Sequence, residues 1–159
     1  DVTGVGIDIA KEAIVAAAKF ATGPIWCVGD LANSPYTASS FSSILNFLSP
    51  ANYDEFKRLL VEGGLVVKIV PEARYLQELR VQAFADSEKE TYSSEQTVQR
   101  FKENFAHVEQ QRITYTKPLS KELVPKLLQM TPMGWHIERP EQVELPNITI
   151  DVSILIGRI

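Results

Sequence analysis

Short apolar segments and one longer amphipathic segment alternate along the first 28 residues. Apolar residues at positions 5, 7 and 9 predict a short buried strand. Residues 11–20 are rich in Ala and have apolar side chains at helical spacing, which predicts a helix. Gly23-Pro24 interrupts this helix, and residues 25–28 predict a second strand. The predicted order is therefore strand, helix, strand.

A second unit of the same order follows. Residues 44–48 predict a strand, and residues 53–60 predict a helix. Gly63-Gly64 is predicted to stop that helix, and residues 65–70 predict a buried strand. Because parallel strands are usually joined by a crossover helix, the two units together indicate a parallel sheet.

The pattern changes in the second half of the chain. Apolar spacing predicts helices over residues 73–84 and 97–105, with a polar loop at 86–94 between them. Residues 108–115 alternate as an exposed strand does. Residues 148–156 alternate at first and then become continuously apolar, so we expect this last strand to lie inside the sheet.

These elements and the size of the chain indicate one fold class. The chain has 159 residues, of which 45% are hydrophobic, and this is enough for one domain over residues 1–159. We predict an α/β fold with an open, Rossmann-like, mostly parallel sheet whose last strand is antiparallel. Ligands of such sheets bind outside the carboxyl ends of the strands.

Charge and composition exclude several functions. A formal net charge of −4 argues against a general nucleic-acid-binding surface, so any RNA contact must be local or supplied from outside this chain. The single Cys27 excludes an internal disulfide and a multi-cysteine zinc site within this chain. No apolar stretch approaches the ~20 residues that span a bilayer, so we expect no membrane partner and a cytoplasmic location. His107 and His136 are isolated, so a hydrolase site lacks its parts.

Two acidic residues stand at the ends of successive predicted strands. Asp8 comes at the end of the first strand, next to Ile9, and Asp30 follows the second, next to Leu31. A carboxylate at such a position accepts two hydrogen bonds from a ribose diol, and Asp30 with the Leu31 amide suits the edge of a purine. Two alternatives stay open, since Asp8 also suits a cap of the helix near Lys11 and Asp30 also suits a local turn.

The strand predicted at residues 44–48 also ends in candidate ligand-binding residues. Asn46 needs hydrogen-bond partners if it is buried, whereas at the strand end it faces the ligand cleft. Phe47 suits stacking on a base, although a strand Phe more often packs in a core. Pro50, which follows Ser49, fixes the backbone where the strand leaves the sheet.

Bulky residues surround a proline in the segment 127–135. Leu123, Leu127 and Leu128 lie at helical spacing, and Pro132 ends that helix. From physical chemistry alone, Met and Trp residues such as Trp135 more often cover a core than form a ligand site. The segment nevertheless resembles the signature of bacterial large-subunit ribosomal RNA guanine-N1 methyltransferases. Further matches to that family lie at residues 6–11, 13–14, 16–19, 30–35, 49–51 and 63–64.

The resemblance implies S-adenosylmethionine as cofactor and 23S ribosomal RNA as partner. It implies that Asp8 with Ile9 binds the cofactor ribose, and that Asp30 with Leu31 holds the adenine. The catalytic opening, where the methyl group meets guanine N1, would be lined by Asn46, Phe47, Ser49 and Pro50. The wall of the substrate site would be formed by Met130, Thr131, Pro132 and Trp135.

Two parts that the family shares are not found in this sequence. They are a four-cysteine zinc module and a first strand with a glycine-rich cofactor loop, so zinc is expected only in that module. Since the sequence also starts at Asp1 without Met, we expect a fragment of a longer chain. Two alternatives remain. One is a methyltransferase that acts on small molecules. The other is a non-catalytic fragment that self-associates through an unpaired strand edge, for example as a homodimer.

Overall fold

The computed structural model describes residues 2–84 and 92–159. Its helices are α1 (Lys11–Phe20), α2 (Tyr53–Leu59), α3 (Gln77–Ala83), α4 (Glu95–Asn104) and α5 (Val124–Met130). Its strands are β1 (Val5–Asp8), β2 (Ile25–Val28), β3 (Phe41–Phe47), β4 (Leu60–Pro71), β5 (Ala106–Pro118) and β6 (Asn147–Arg158). Short 3-10 helices cover Lys121–Leu123, Pro132–His136 and Pro140–Gln142.

The strands of the described residues form two sheets. One contains β1 and β2, which are parallel, and the other has the order β3-β4-β6-β5. β3 is parallel to β4, whereas β6 runs antiparallel to both of its neighbours. The predicted α/β class is therefore confirmed, together with the interior, antiparallel position of the last strand. Neither β1 nor β3 has a second partner strand among the described residues, so each has an unpaired edge.

Helices cover both faces of the four-stranded sheet. Alternate residues of a strand face opposite sides, and Leu155 and Ile148 of β6 accordingly belong to separate core clusters. The Leu155 cluster includes side chains of α2 and α4, among them Phe56 and Phe101. The Ile148 cluster includes side chains of α3 and α5, among them Leu79. The inner strands β4 and β6 are thus buried between two layers of helices, whereas the edge strands β3 and β5 are largely exposed.

The prediction that Gly63-Gly64 stops a helix is wrong. α2 ends earlier, at Leu59, and both glycines lie inside β4. The pairing of β3 with β4 explains where the glycines lie. Phe41 pairs with Leu60, whereas Ser43, only two residues later, pairs with Leu65. β4 therefore contains extra, bulged residues at this point. Gly63 takes a φ of 73°, which suits a residue without a Cβ.

Other element boundaries differ by a few residues from the predictions. α3 begins at Gln77 rather than near residue 73, because Leu76 just before it has a left-handed φ of 50°. β5 and β6 extend beyond the predicted strands because they pair with each other from Ala106 to Pro118. Of the predicted loop at 86–94, residues 86–91 lie outside the described residues.

Candidate functional site

A cavity of about 740 Å³ lies between the unpaired edges of β1 and β3, and it is called the first cavity. Its size is within the range of small-molecule sites, roughly 300–1,000 Å³. Apolar side chains of α1 form part of its wall, among them Ala13, Ile14 and Ala17. Residues of both strands line it, so the first cavity lies between the two sheets.

Asp8 lines the first cavity at the carboxyl end of β1. Its Oδ1 atom accepts a hydrogen bond from the Ala10 amide at 2.8 Å, and its side chain is exposed. Ala10 is the residue that precedes α1, so Asp8 supports the entry to the helix without bonding to an amide inside it. One carboxylate oxygen is thus engaged locally, and the predicted ribose contact stays a prediction.

Of the other predicted cofactor-binding residues, Leu31 lies at the first cavity, whereas Asp30 and Ile9 lie at the surface. Leu31 lines the first cavity, whereas Asp30 and Ile9 are not among its lining residues. The Oδ1 atom of Asp30 accepts from the Ala32 amide at 2.8 Å, which is the local turn that was the alternative interpretation. Ile9 is exposed to solvent. The contribution of Asp30 and Ile9 to cofactor binding stays a prediction.

A second cavity of about 470 Å³ lies at the carboxyl ends of β3 and β4. Its walls come from residues 48–51, from residues 68–71, and from Tyr92 with the first two turns of α4. Ser49 lines both cavities, so the two adjoin at this residue. Among the described residues that line the second cavity there is no Asp or Glu, while Lys68 and Arg100 give it a positive charge.

Asn46 and Lys68 form a buried polar pair next to this junction. They are direct partners in the β3-β4 register, and Lys68 is only 3% exposed. The Lys68 Nζ atom donates to the Asn46 Oδ1 atom and, at 2.9 Å, to the Ser49 carbonyl oxygen. Burial lowers the pKa of Lys68 to about 8. The prediction that Asn46 would need partners if buried is therefore confirmed, although Lys68 itself was not predicted.

The remaining residues of the predicted catalytic opening lie around the same junction. Phe47 lines the first cavity and is 63% exposed, so the alternative that it packs in a core is wrong. Pro50 lines the second cavity, and its carbonyl oxygen accepts a hydrogen bond from the Asn46 Nδ2 atom at 3.1 Å. Leu48 has a left-handed φ of 49°, and its amide donates to the Ile69 carbonyl oxygen at 3.1 Å.

The predicted substrate wall does not line either cavity in this structure. Trp135 is 74% exposed and Met130 is 82% exposed, so the alternative that Trp135 packs in a core is wrong. Pro132 begins a 3-10 helix that packs closely on α5, so that a Cβ at Gly134 would collide with the Leu128 carbonyl oxygen. The role of Met130, Thr131, Pro132 and Trp135 in substrate binding stays a prediction.

The described residues lack two features, a group of metal-binding side chains and a membrane-spanning helix. Within residues 2–84 and 92–159, no group of three or more His, Cys, Asp or Glu side chains is placed to hold a metal ion. None of the helices in the described part of the chain is long and apolar enough to cross a membrane.

Comparison with known proteins gives two related sequences. The chain is 39% identical, over 97% of its length, to "Putative 23S rRNA (guanine-N(1)-)-methyltransferase YxjB" of Bacillus subtilis (strain 168). It is 26% identical, over 99% of its length, to the 23S rRNA (guanine(748)-N(1))-methyltransferase of Streptomyces fradiae. The chain spans 56% and 59% of the length of these relatives, respectively. The sequence resemblance to this group of enzymes is confirmed, although the chain matches no protein-family profile.

Solved structures confirm the fold. A SAM-dependent methyltransferase from Thermotoga maritima aligns with 96% of this chain and 72% of its own, with a TM-score of 0.56 and 13% identity. At this level of identity the likeness concerns the fold, which is that of the class I methyltransferases.

Proposed function

Taking the likeness to the 23S rRNA guanine-N1 methyltransferases as the premise, we propose that a protein containing this chain methylates N1 of a guanine in 23S ribosomal RNA. The first cavity takes S-adenosylmethionine and the second takes the guanine. The observation that carries this assignment is the junction at Ser49, which lines both cavities. A group held in one cavity is therefore next to a group held in the other, as a direct transfer requires.

The residues of the first cavity fit the proposed cofactor. Asp8 offers a carboxylate at the end of β1, where a ribose diol is bound in sheets of this class. Ile14, Ala17 and Leu31 offer an apolar wall that suits an adenine ring. When bound, S-adenosylmethionine supplies a methyl group on a positively charged sulfur. Guanine N1 bonds to the methyl carbon as the bond between sulfur and methyl breaks, the sulfur becomes a neutral thioether, and the N1 proton passes to solvent.

The residues around the junction orient the guanine and exclude water. Phe47 presents an exposed ring at the mouth of the first cavity, where a base can stack on it. Arg100 gives the second cavity a positive charge that favours the O6 atom and the phosphates of a nucleotide. Because the guanine must leave its stack to enter, a loop of the RNA is a better acceptor than a duplex.

The experiment is a transfer assay with the protein that contains this chain. S-adenosylmethionine with a labelled methyl group is incubated with protein-free 23S ribosomal RNA, and the product is digested to nucleosides. We expect labelled N1-methylguanosine, identified by mass spectrometry. The matched control acceptor is 16S ribosomal RNA, which we expect to remain unlabelled.

Other outcomes would assign a different function. Labelling of a small molecule from a cell extract, with no labelling of RNA, would favour a small-molecule methyltransferase. Binding of S-adenosylmethionine without transfer to any acceptor would contradict the proposed reaction. Since the acceptor is ribosomal RNA, we propose that the protein acts in the cytoplasm.

A further inference from the structure

The segment that joins the two cavities has an unusual backbone. It comprises Asn46, Phe47, Leu48, Ser49 and Pro50, and it is called the junction turn. Leu48 at its centre has a φ of 49°, a conformation that residues with a Cβ seldom adopt. A backbone of this kind persists only where surrounding contacts hold it.

The contacts that hold the junction turn converge on Lys68. Its Nζ atom donates to the Asn46 side chain at the start of the turn and to the Ser49 carbonyl oxygen near its end. Asn46 in turn donates to the Pro50 carbonyl oxygen at 3.1 Å. One buried ammonium group thereby links both ends of the junction turn, directly and through Asn46.

A buried lysine at this position is costly unless it makes such contacts. Lys68 lies in β4 between Val67 and Ile69, and its side chain is almost wholly removed from solvent. Transfer of a charged amine from water to such a site is unfavourable, and hydrogen bonds to oxygen atoms offset part of the penalty. An apolar residue at position 68 would pack without the cost of burying a charge. The junction turn would then lose the two hydrogen bonds that Lys68 donates to it.

We propose that Lys68 is a positioning residue for methyl transfer, which holds the junction turn in the shape that brings the two cavities together. It acts through Asn46 and the Ser49 carbonyl group, and it needs no contact with either substrate. This inference rests on the proposed function, because the transfer is the reaction for which the turn is positioned.

The test compares Lys68→Met with the unchanged protein that contains this chain. Met has a similar length and no charge, so the variant removes the hydrogen bonds while relieving the burial of a cation. We expect kcat for methyl transfer to fall at least tenfold, while the affinity for S-adenosylmethionine changes less than threefold. We also expect faster hydrogen exchange at the Leu48 amide, because the turn that orients its bond to Ile69 is released.

Two further variants sharpen the test. Lys57→Met is the matched control, because the Lys57 Nζ atom also donates to an asparagine, Asn104, at 3.0 Å but lines neither cavity. We expect it to change neither kcat nor the exchange of Leu48. Asn46→Leu should slow transfer as Lys68→Met does. Their combination should lose little more than the more severe single variant, since both disrupt the same turn.

The outcomes separate this inference from the proposed function. An unchanged kcat in a folded Lys68→Met protein would overturn the positioning role, and unchanged exchange at Leu48 would show that Lys68 does not hold the turn. Absence of transfer by the unchanged protein would instead reject the proposed acceptor. Hydrogen exchange, which needs no substrate, would then still decide whether Lys68 holds the turn.

Discussion

Asp8 and Asp30 occupy similar positions in the sequence but different surroundings in the structure. Each accepts a hydrogen bond from the amide two residues later, at 2.8 Å in both cases. Only Asp8 lines the first cavity. Asp8 can therefore accept the local hydrogen bond and also contact a ligand. Substitution by Asn can distinguish these two roles, because the Asn side chain keeps an oxygen that accepts from the Ala10 amide but loses the second carboxylate oxygen.

The first prediction concerns binding of S-adenosylmethionine by the protein that contains this chain. We expect Asp8→Ala to weaken binding by about 1.5–3 kcal/mol, the range for losing a hydrogen bond that involves a charged group. Asp8→Asn should also weaken it, because the amide cannot accept two hydrogen bonds from a ribose diol through both of its atoms. Calorimetry measures both changes. Unchanged affinity in Asp8→Asn would leave only the local turn as the role of Asp8.

Trp135 gives the second prediction. Because its side chain is 74% exposed, Trp135→Ala should change the free energy of unfolding by less than about 1 kcal/mol, well below the cost of removing a core Trp. If Trp135 contacts the RNA, methyl transfer should fall at least tenfold while cofactor affinity stays unchanged. A melting curve and a transfer assay on the same variant give both quantities.

Phe20→Ala is the control for that experiment. Phe20 is another exposed aromatic residue, at the end of α1, and it lines neither cavity. Equal transfer by the Trp135→Ala and unchanged proteins would contradict the predicted substrate wall. An equal loss in both variants would indicate a general effect of removing exposed aromatic side chains.

At the scale of elements, α2 is tied to the segment that follows β2 through hydrogen bonds from Ser34 to Glu55, which also pairs with Arg58 within the helix. Glu55 of α2 accepts hydrogen bonds from Arg58 at 2.7 Å and from the Ser34 hydroxyl at 2.6 Å. The Arg58 hydrogen bond, with a smaller contribution from Ser34, lowers the pKa of Glu55 to about 2 from its ordinary 4.5. The carboxylate therefore binds its proton less readily in the folded chain than in the unfolded chain.

The third prediction follows from the sign of that shift. The contribution of Glu55 to the free energy of unfolding is fully present above pH 4.5 and is lost as the pH falls toward 2. We expect the unchanged chain to lose more stability over this range than Glu55→Gln, as measured by denaturant unfolding. Asp151, whose pKa is also held low by Arg112, affects both proteins alike, so the difference reports on Glu55. Parallel curves would contradict the prediction.

Elements determined by local pattern were predictable, whereas elements determined by pairing were not. The helix at residues 11–20 was predicted with its observed bounds, because its Ala-rich spacing is a local signal. The start of β4 at Leu60 was missed, because the bulge at Gly63 depends on pairing with β3. Lys68 was missed as a site residue for the same reason, since only the strand register shows that it faces Asn46.

At the scale of the whole molecule, two unpaired strand edges border the first cavity. β1 and β3 each present a row of backbone groups without partners among the described residues, and Leu45 and Phe47 of β3 are exposed. Such an edge is a template for pairing with another strand. An unpaired edge is expected from the first strand that the sequence lacks, but the cavity could not be predicted from periodicity because it depends on how the two sheets are placed.

The fourth prediction is that the isolated 159-residue chain self-associates. Light scattering at increasing protein concentration should show a rising mean mass, because strand edges of different copies pair. Lys and Pro are the residues that block edge pairing, so Leu45→Lys should reduce the association. Val81→Lys, at an exposed position of α3 and outside every strand, is the control. A constant monomer mass at all concentrations would contradict the prediction.

The place of β6 has a consequence for the order in which the chain folds. This strand is the last element of the sequence, yet it lies between β4 and β5, and Pro71 pairs with Val152 some 80 residues later. During synthesis, β4 and β5 therefore emerge from the ribosome before the strand that joins them exists. The four-stranded sheet closes only after residue 158 is released, so its assembly is a late step dominated by distant contacts, which makes folding slow.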